Sequence, residues 1–185
     1  MKTGFPFVYD LIPSPIGEVG IVRRSKGTRP VRMIFLPHKG TSTSERILEI
    51  FPTAVPSLGK RDKTGMQIEA FLAGDVVNFS IAELDFEGVD GFERRVLFAD
   101  FAIPRGRVMT YGGLAAKVGV PGGARAVGNV MAGNPFPLVI PCHRVIRSDG
   151  SLGGFGGGLP LKRALLEMEG VAFDKKGRVQ SAHIL

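Results

Sequence analysis

Short runs of hydrophobic residues near the start of the chain predict β-strands. The runs "FPFVYDLI", "EVGIVRR" and "VRMIFLP" are separated by Pro, Gly and Ser residues, which are typical of turns. Two amphipathic helices are predicted after them: "SERILEIF", where Ser42 and Glu45 have capping-box spacing, and "MQIEAFLAG", which ends at Gly74. The stretch from Asn78 to Asp90 is predicted to be a strand and a connection. This pattern indicates a small α/β lobe built on a three-stranded sheet.

Helical periodicity dominates the chain beyond Asp90. Asp90 and Glu93 have N-cap and N3 spacing ahead of "FERRVLFADFAI", and Pro104 stops that helix. A last helix is predicted over "PLKRALLEMEG", with core-facing residues at Leu161, Leu165 and Met168.

Between these helices lies a pattern typical of a helix-turn-helix. Two short helices are predicted, roughly Gly112 to Val118 and Gly122 to Ala132, on either side of the tight turn "GVPGG". The fold class is therefore α/β, with an N-terminal α/β scaffold lobe over residues 1–91. Residues 92–185 are predicted to form a mainly helical domain that carries the helix-turn-helix.

Composition narrows the class of protein. A chain of 185 residues suits one compact domain with room for a small second one. No apolar run approaches the length of a membrane span, and "MKTGFPFVYDLIPSP" has no small-residue cleavage site after it. We therefore expect a soluble protein that is not secreted and works in a reducing compartment.

The positive charge of the chain is concentrated in its second half. Residues 1–92 contain 11 basic and 11 acidic residues, whereas residues 93–185 contain 13 and 6, so the second part carries the whole net charge of +7. Such an asymmetry favours a polyanionic partner, nucleic acid first. A solvated basic surface that binds nothing is the alternative.

The second helix of the helix-turn-helix has two unlike faces. At 100° per residue, the core side gathers Ala124, Val127, Val130 and Met131. The opposite side carries Arg125, Asn129 and Ala132, with Ala126 and Gly128 at its edges. Small side chains allow close approach to a nucleic-acid groove, and one long cation can reach phosphates or enter the base stack. Helix–helix packing through the small residues is the alternative.

The single cysteine, Cys142, lies in "IPCHRVI". Pro141 fixes the backbone before it, and His143, Arg144 and Arg147 form a cationic neighbourhood that would lower the thiol pKa. A histidine so placed can act as a base if a carboxylate elsewhere orients it. A reactive nucleophile is predicted here, with a buried, inert cysteine as the alternative.

Two other features of the sequence are candidate binding sites. "GGFGGG" lacks the Gly-Lys-Ser/Thr ending of a phosphate loop, but as a loop it would let backbone approach a flat base, or else serve as a flexible linker. His38 and His183 have no cysteine cluster around them and are predicted to be surface residues, so no metal or cofactor is expected.

The stretch "GRVMTYGGLAAKVGVPGGARAVGNVMAGNPFPLVIPCHRVIRSDGSLGGFGGGLPLKRALLEMEG" resembles the O6-alkylguanine-DNA alkyltransferases, also called methylated-DNA–protein-cysteine methyltransferases. The resemblance runs from about Phe92 to Gly170, with the family's spacing between "TY", "ARAVG", "NP", "PCHRV" and "EG". Residues 1–91 resemble the family's variable N-terminal lobe only loosely, mainly through "SPIGEVGIV".

The resemblance implies a set of catalytic roles. Cys142 would be the alkyl acceptor, with its thiolate maintained by a relay through water to His143 and on to Glu169. Tyr111 would crowd a phosphate so that the target nucleotide rotates out, and it would donate a proton to the departing guanine. Displacement at a saturated carbon needs such an ionised soft nucleophile and a neutralised leaving group.

The resemblance also implies how DNA is held. Arg125 would fill the gap in the duplex while its helix lies in the minor groove, with Ala124, Ala126, Gly128, Asn129 and Ala132 along the contact. Asn134 would brace the turn that leads to the cysteine. The backbone at Cys142 and Val145 would read the exocyclic amine of guanine, and the backbone near Gly156 would donate to O6, with Gly157 as a further substrate-binding or structural residue.

Two positions depart from the family pattern. Phe155 stands where many relatives have Tyr, and Gly156 where some have Ser, so recognition of O6 would depend more on backbone. "TYGG" is also rich in glycine where a helix should start, at a cost of about 1 kcal/mol for each misplaced glycine.

The implied activity is irreversible, single-turnover transfer of a methyl or other alkyl group from O6-alkylguanine in duplex DNA to Cys142, with base flipping and no cofactor. O4-alkylthymine is a second candidate lesion. The expected partner is double-stranded DNA with that lesion, and the expected state is a monomer in the cytoplasm near the nucleoid, or in the nucleus of a eukaryote. The alternatives are a damage-binding protein that transfers nothing and a Cys-His hydrolase.

Overall fold

The computed structural model of the protein describes residues 6–26, 30–59 and 61–185. The chain divides into two compact units, Met1–Glu87 and Gly88–Leu185. No helix of the described residues is long and apolar enough to cross a membrane.

The first unit is built on an antiparallel sheet of three strands: β1 (Phe7–Ile12), β2 (Val19–Arg24) and β3 (Val31–Phe35). The predicted strands are confirmed, although Phe5 at the start of the first run lies outside the described residues. A two-residue strand, β4 (Val55–Pro56), pairs parallel to β1 and gives the order β3-β2-β1-β4, so the predicted three-stranded sheet has four strands.

Two helices accompany this sheet. Helix α1 (Thr43–Ile50) begins with the predicted capping box between Ser42 and Glu45, and α2 (Lys63–Leu72) begins three residues before the predicted start, because Asp62 caps it. Residues 78–90 form a connection, as predicted in part, but the strand predicted within them is wrong. That segment forms a 3-10 turn, Ile81–Glu83, and a single bridge from Leu84 to Val31.

The second unit is mainly helical. Its helices are α3 (Gly91–Phe101), α4 (Tyr111–Lys117), α5 (Ala124–Ala132) and α6 (Leu159–Met168). The predicted capping box between Asp90 and Glu93 is confirmed at the start of α3. Helices α3, α4 and α5 pack together, and α4 and α5 are the predicted helix-turn-helix.

The turn between α4 and α5 is longer than predicted. Gly119 and Gly122 have φ values of +83° and +85°, a region that favours glycine, so Gly122 cannot open the second helix. Gly123 precedes α5, and a Cβ there would lie 2.8 Å from the carbonyl oxygen of Val120. These glycines close the turn and delay the start of α5 to Ala124.

A pair of two-residue parallel strands positions the site in this unit. Strand β5 (Met109–Thr110) leads directly into α4, and β6 (Val145–Ile146) follows a 3-10 turn formed by Cys142–Arg144. The pairing of Met109 with Val145 therefore brings the start of α4 next to the segment that carries the cysteine.

The buried stripe of α6 differs from the predicted one. Its fully buried residues are Lys162, Leu165, Leu166 and the C-cap residue Glu169, whereas Leu161 and Met168 are only partly buried. His183 is also not a plain surface residue. Its ring accepts a hydrogen bond from the backbone N–H of Ala172 and lies 2.9 Å from the carbonyl oxygen of Gly106.

Candidate active site

A pocket of about 450 Å³ in the second unit has Cys142 in its wall. It is bounded by the start of α4, one end of α5, the segment after β6 and the glycine-rich loop before α6. The lining residues are Tyr111, Gly128, Met131, Ala132, Cys142, Arg147, Gly153, Gly154, Phe155 and Gly156. The sulfur is therefore placed where a bound molecule can reach it.

Cys142 is 6% exposed and begins a 3-10 turn after Pro141. Burial raises the pKa of its thiol to about 12, and the carboxyl group of Asp100 acts in the same direction. A hydrogen bond from Asn134 and the charge of Lys162 favour the thiolate against this. The prediction that His143, Arg144 and Arg147 lower the thiol pKa is therefore wrong, and Cys142 is protonated at neutral pH in the free protein.

Asn134 joins the end of α5 to the cysteine segment. Its side-chain amide donates to the carbonyl oxygen of Ile140 at 2.9 Å, and its carbonyl accepts from the backbone N–H of Phe136 at 2.9 Å. Between them, Leu138 has a φ of +74°, an uncommon conformation for a residue other than glycine. One side chain thus braces a strained, buried turn and also reaches the thiol of Cys142.

Behind the cysteine lies a buried cluster of His143, Glu169 and Arg144. Nε2 of His143 is 2.9 Å from Oε1 of Glu169, and Arg144 donates to both oxygens of that carboxylate at 2.7 and 2.8 Å. Arg144 also donates to the carbonyl oxygen of Ile103 at 2.6 Å, so its side chain faces Glu169 and the backbone of α3's C-terminal end.

The pKa values of this cluster fix its protonation state. Burial lowers the pKa of His143, so its imidazole is neutral. Burial alone would raise the pKa of Glu169, but its hydrogen bonds from His143 and Arg144 bring that pKa down to about 2. Since the carboxylate is ionised, Nε2 of His143 donates to it, and Nδ1 is the basic nitrogen of the ring.

Tyr111 faces the pocket from the first position of α4. Thr110 caps this helix by accepting a hydrogen bond from the backbone N–H of Gly113 at 2.9 Å. A Cβ on Gly113 would lie 3.2 Å from the Thr110 hydroxyl oxygen, so this glycine allows the tight cap. Burial raises the pKa of Tyr111, and its phenol therefore keeps its proton at neutral pH.

Lys162 lies under the same pocket and is completely buried. Its ammonium group donates to the carbonyl oxygen of Val145 at 2.6 Å and to that of Gly154 at 3.2 Å, and it stands 5.9 Å from the ring centroid of Tyr111. Burial lowers its pKa to about 8. The carbonyl of Val145, predicted to read guanine, is therefore already engaged by this lysine.

At the edge of the pocket, helix α5 presents the face that was predicted to carry small residues and one long cation, Arg125, and that is called the bare face below. Its exposed residues are Arg125, Ala126, Asn129 and Ala132, its buried ones are Val127, Val130 and Met131, and Ala124 lies between the two classes. Gly128 and Ala132 also line the pocket. The small-residue face and the cysteine therefore belong to one continuous surface region.

The glycine-rich loop supplies the remaining wall. Phe155 and Gly156 line the pocket, and the ring of Phe155 lies edge-on to His143 with centroids 6.4 Å apart. Gly157 does not line it. A Cβ on Gly157 would lie 2.4 Å from the Leu161 side chain, so the loop packs closely against α6 at this residue, and its role as a substrate-binding or structural residue stays a prediction.

Two charged residues of the site were not predicted, and a third was predicted only for its charge. Lys162 lies three residues before Leu165, and Asp100 lies three residues after Leu97, so each is on the buried face of its helix. A charged residue at such a position in the sequence could have indicated a buried functional group. Arg147 lines the pocket, although the sequence predicted only a general electrostatic effect for it. Among the described residues, no group of three or more His, Cys, Asp or Glu side chains could hold a metal ion.

The arrangement of these groups fits nucleophilic chemistry. The buried thiol of Cys142 is next in sequence to the neutral imidazole of His143, which is hydrogen-bonded to the ionised carboxylate of Glu169. The phenol of Tyr111, which keeps its proton, lines the same pocket as the thiol. Such a set can supply a sulfur nucleophile, accept its proton and protonate a leaving group.

Comparison with known proteins gives consistent results. The family model for "6-O-methylguanine DNA methyltransferase, DNA binding domain" matches residues 91–171. A methylated-DNA–protein-cysteine methyltransferase of Mycobacterium bovis is 37% identical over 161 residues, which are 87% of this chain and 91% of that protein. One of Methanothermobacter thermautotrophicus is 51% identical over 107 residues, 58% of this chain and 60% of that protein, so this match spans less than two thirds of the relative.

Solved structures show the same similarity. The crystal structure of Mycobacterium tuberculosis OGT in complex with DNA has a TM-score of 0.72 and 35% identity, and the match covers 88% of this chain and 92% of that one. The O6-methylguanine-DNA methyltransferase of Pyrococcus kodakaraensis strain KOD1 has a TM-score of 0.67 and 31% identity, covering 89% and 99%.

Proposed function

Because this chain belongs to the methylated-DNA–protein-cysteine methyltransferase family of DNA-repair enzymes, we propose that it transfers the alkyl group of O6-alkylguanine in duplex DNA irreversibly to the sulfur of Cys142. The single observation that carries this proposal is the pocket itself. It places the only thiol of the chain in one wall with Tyr111, at the edge of the bare face of α5.

The first step is ionisation of the thiol. Cys142 gives its proton to Nδ1 of His143 through a water relay, and the imidazolium that forms is stabilised by the Glu169 carboxylate 2.9 Å from Nε2. The ammonium of Lys162 and the amide of Asn134 both favour the thiolate. Because burial raises the pKa of the Cys142 thiol to about 12, the thiol is protonated in the free protein and this relay is needed to remove its proton.

The second step is displacement at the alkyl carbon. The sulfur attacks that carbon, the bond from carbon to O6 breaks, and guanine takes up a proton from the Tyr111 hydroxyl as it leaves. The product is a thioether, and the described residues offer no group that would reverse it. The protein is therefore consumed in one turnover.

Access to the lesion requires the guanine to leave the base stack, which costs a few kcal/mol. Helix α5 supports this step, because its exposed alanines and half-buried Gly128 permit close approach to the minor groove. Arg125 is the one long cation on that face, and we assign it to the gap that the flipped base leaves in the duplex.

The test is the stoichiometry of transfer. The protein is incubated with an excess of O6-methylguanine duplex, and the mass of the intact protein and of its Cys142 peptide is measured. One methyl group for each molecule, on Cys142, is expected. Cys142→Ala should still bind the damaged duplex but gain no mass. More than one lesion repaired by each molecule would refute suicide transfer and favour a turnover enzyme such as a Cys-His hydrolase.

Two narrower points go with this proposal. O4-methylthymine duplex, tested in the same assay, establishes whether a pyrimidine lesion is also a substrate. Every catalytic group assigned above lies in one chain, so we expect a monomer to act alone on one lesion. Sedimentation with a short duplex that carries a single lesion measures this directly.

A further inference from the structure

We propose that Arg147 adapts this pocket to O6-alkylguanines whose alkyl group carries a negative charge, with O6-carboxymethylguanine as the simplest example. This inference depends on the function proposed above and specifies its substrate class. It assigns to Arg147 the binding of a carboxylate attached to the carbon that Cys142 attacks.

The position of Arg147 supports this role. It directly follows β6, and its backbone N–H donates to the carbonyl oxygen of Ser151 at 2.9 Å, which closes a turn at the pocket rim. Its side chain lines the same pocket as Cys142. The residue is thus held by its backbone in the wall of the pocket, and it is exposed to solvent there.

Arg147 is the only charged side chain among the described residues that line the pocket. The remaining wall consists of Cys142, the Tyr111 phenol, the apolar side chains of Met131, Ala132 and Phe155, and glycines. A methyl group on O6 is uncharged and accepts no hydrogen bond, so a cation in this wall would not stabilise it. A carboxylate on the alkyl group would gain a charge-assisted hydrogen bond from it.

The guanidinium of Arg147 is available for such a ligand. Within the described ranges, it makes no ion pair and no side-chain hydrogen bond. The nearest acid along the chain, Asp149, accepts hydrogen bonds from the backbone N–H and the hydroxyl of Ser151. The charge of Arg147 is the smallest of the influences that lower the pKa of Asp149, and the two side chains form no ion pair. By contrast, Arg144 is fully committed to Glu169 and to a backbone carbonyl.

The charge of Arg147 also reaches into the pocket. Burial dominates the pKa values of Tyr111 and Lys162, and the charge of Arg147 acts to lower both. An anionic alkyl group would otherwise suffer repulsion from the thiolate that attacks it. A cation at the rim offsets that repulsion, which an entirely apolar wall would leave in place.

The reaction with this substrate balances without any further reagent. The Cys142 sulfur forms a bond to the methylene carbon, the bond from that carbon to O6 breaks, and the electron pair stays with guanine. Guanine takes a proton from Tyr111, and the proton lost by the thiol restores the phenol through the relay. The product is S-carboxymethylcysteine with its carboxylate beside Arg147.

The experiment compares three duplexes that differ only at O6 of one guanine: methyl, carboxymethyl, and the uncharged carbamoylmethyl group of nearly the same shape. Single-turnover rate constants are measured for the wild-type protein, Arg147→Gln and Arg147→Lys. Arg178→Gln is the matched control, because it removes the same charge from an arginine outside this pocket. Intact mass identifies the transferred group.

We expect Arg147→Gln to slow carboxymethyl transfer roughly tenfold or more relative to methyl transfer, the scale of one hydrogen bond to a charged group. In Arg147→Gln, the rate of carbamoylmethyl transfer should change by the same factor as that of methyl transfer. Arg147→Lys should slow carboxymethyl transfer less than Arg147→Gln does. The control variant should not change the ratio of the three rates.

Two results would overturn the inference. In one, Arg147→Gln slows all three lesions equally and weakens binding to undamaged duplex with a shallower salt dependence, which would make Arg147 a phosphate contact. In the other, the wild-type protein repairs the methyl lesion but not the carboxymethyl one. Failure with the methyl lesion as well would instead refute the proposed function.

Discussion

The imidazole of His143 and the carboxylate of Glu169 are joined by a hydrogen bond of 2.9 Å between two side chains that have no exposed surface. Their residues come from different segments, the 3-10 turn after Pro141 and the C-cap of α6. Arg144 completes the pair by donating to both carboxylate oxygens. This contact fixes the tautomer of His143 and leaves Nδ1 as its basic atom.

Replacing Glu169 with Gln should slow alkyl transfer and destabilise the fold. The amide keeps the size of the side chain but cannot stabilise an imidazolium, and it leaves Arg144 without its counter-charge. Breaking a buried ion pair costs about 3–5 kcal/mol. We expect transfer from O6-methylguanine duplex to fall roughly 100-fold, as is typical when general base catalysis is impaired.

Exposed Glu167 provides the matched control on the same helix, because it pairs with Arg163 at the surface. Glu167→Gln should change neither the transfer rate nor the denaturation midpoint by a measurable amount. A Glu169→Gln protein that transfers at the wild-type rate would remove the carboxylate from the mechanism.

The same pair predicts an acid limit of stability. The folded-state pKa of Glu169, about 2, lies below its ordinary value of 4.5, so its contribution is complete above pH 4.5 and is lost as the pH falls toward 2. Urea denaturation followed from pH 6 to pH 2 should show a steeper loss for the wild-type protein than for Glu169→Gln. Parallel curves would contradict this origin of the acid sensitivity.

Asp100 predicts the opposite dependence on pH. It is completely buried in α3, neither of its oxygens has a hydrogen-bond partner among the described residues, and burial raises its pKa to about 8. The folded protein therefore holds a proton that the unfolded chain releases above about pH 4. This group reduces stability increasingly from pH 4 up to pH 8, and the penalty is then constant.

Asp100→Asn should therefore stabilise the protein, by little at pH 5 and by on the order of a few kcal/mol at pH 8. Removing this carboxyl should also lower the thiol pKa of Cys142, because Asp100 acts to raise it. Denaturation at the two pH values and the pH dependence of thiol alkylation by iodoacetamide measure the two effects. A variant that is equally or less stable at pH 8 would argue that Asp100 is not a buried acid.

Much of this fold follows from local patterns. The capping boxes at Ser42 and Asp90 fixed two helix starts, because the side chain and the backbone that it caps are neighbours in sequence. The exposed face of α5 was predicted correctly for the same reason, since a helical period depends only on residues within a few turns. The short strand β4 was missed, because two residues that pair with a distant strand leave no periodic trace.

The interactions among the charged groups of the site could not be predicted from local sequence patterns. Adjacency along the chain suggested that Arg144 would act on Cys142, but its side chain turns toward Glu169, 25 residues away. The cation that favours the thiolate is Lys162, which α6 brings beneath the pocket. Which charges meet depends on packing between segments, and burial of the sulfur then dominates its pKa.

Tyr111→Phe tests the proton donor of the proposed reaction. The ring and its packing remain, but the hydroxyl that would protonate guanine is lost. We expect transfer to fall about 100-fold, within the range of general acid catalysis, while binding to undamaged duplex is retained. Substrates with a more acidic leaving group should be affected less. Equal slowing for good and poor leaving groups would indicate that Tyr111 acts only by shaping the pocket.

Gly153→Ala tests how closely the loop must approach Tyr111. A Cβ at residue 153 would lie 2.9 Å from the tyrosine ring and 3.0 Å from its hydroxyl oxygen, and the φ of +69° disfavours any other residue.

Gly154 is the matched control, because it lines the same pocket and a Cβ there meets nothing within 4 Å. We expect Gly153→Ala to lower stability by about 1 kcal/mol or more and to reduce transfer from O6-methylguanine more than it reduces DNA binding. Gly154→Ala should leave both nearly unchanged. Single-turnover rates and urea denaturation of the two variants decide the matter, since similar behaviour of both would mean that the loop moves aside and does not position the tyrosine.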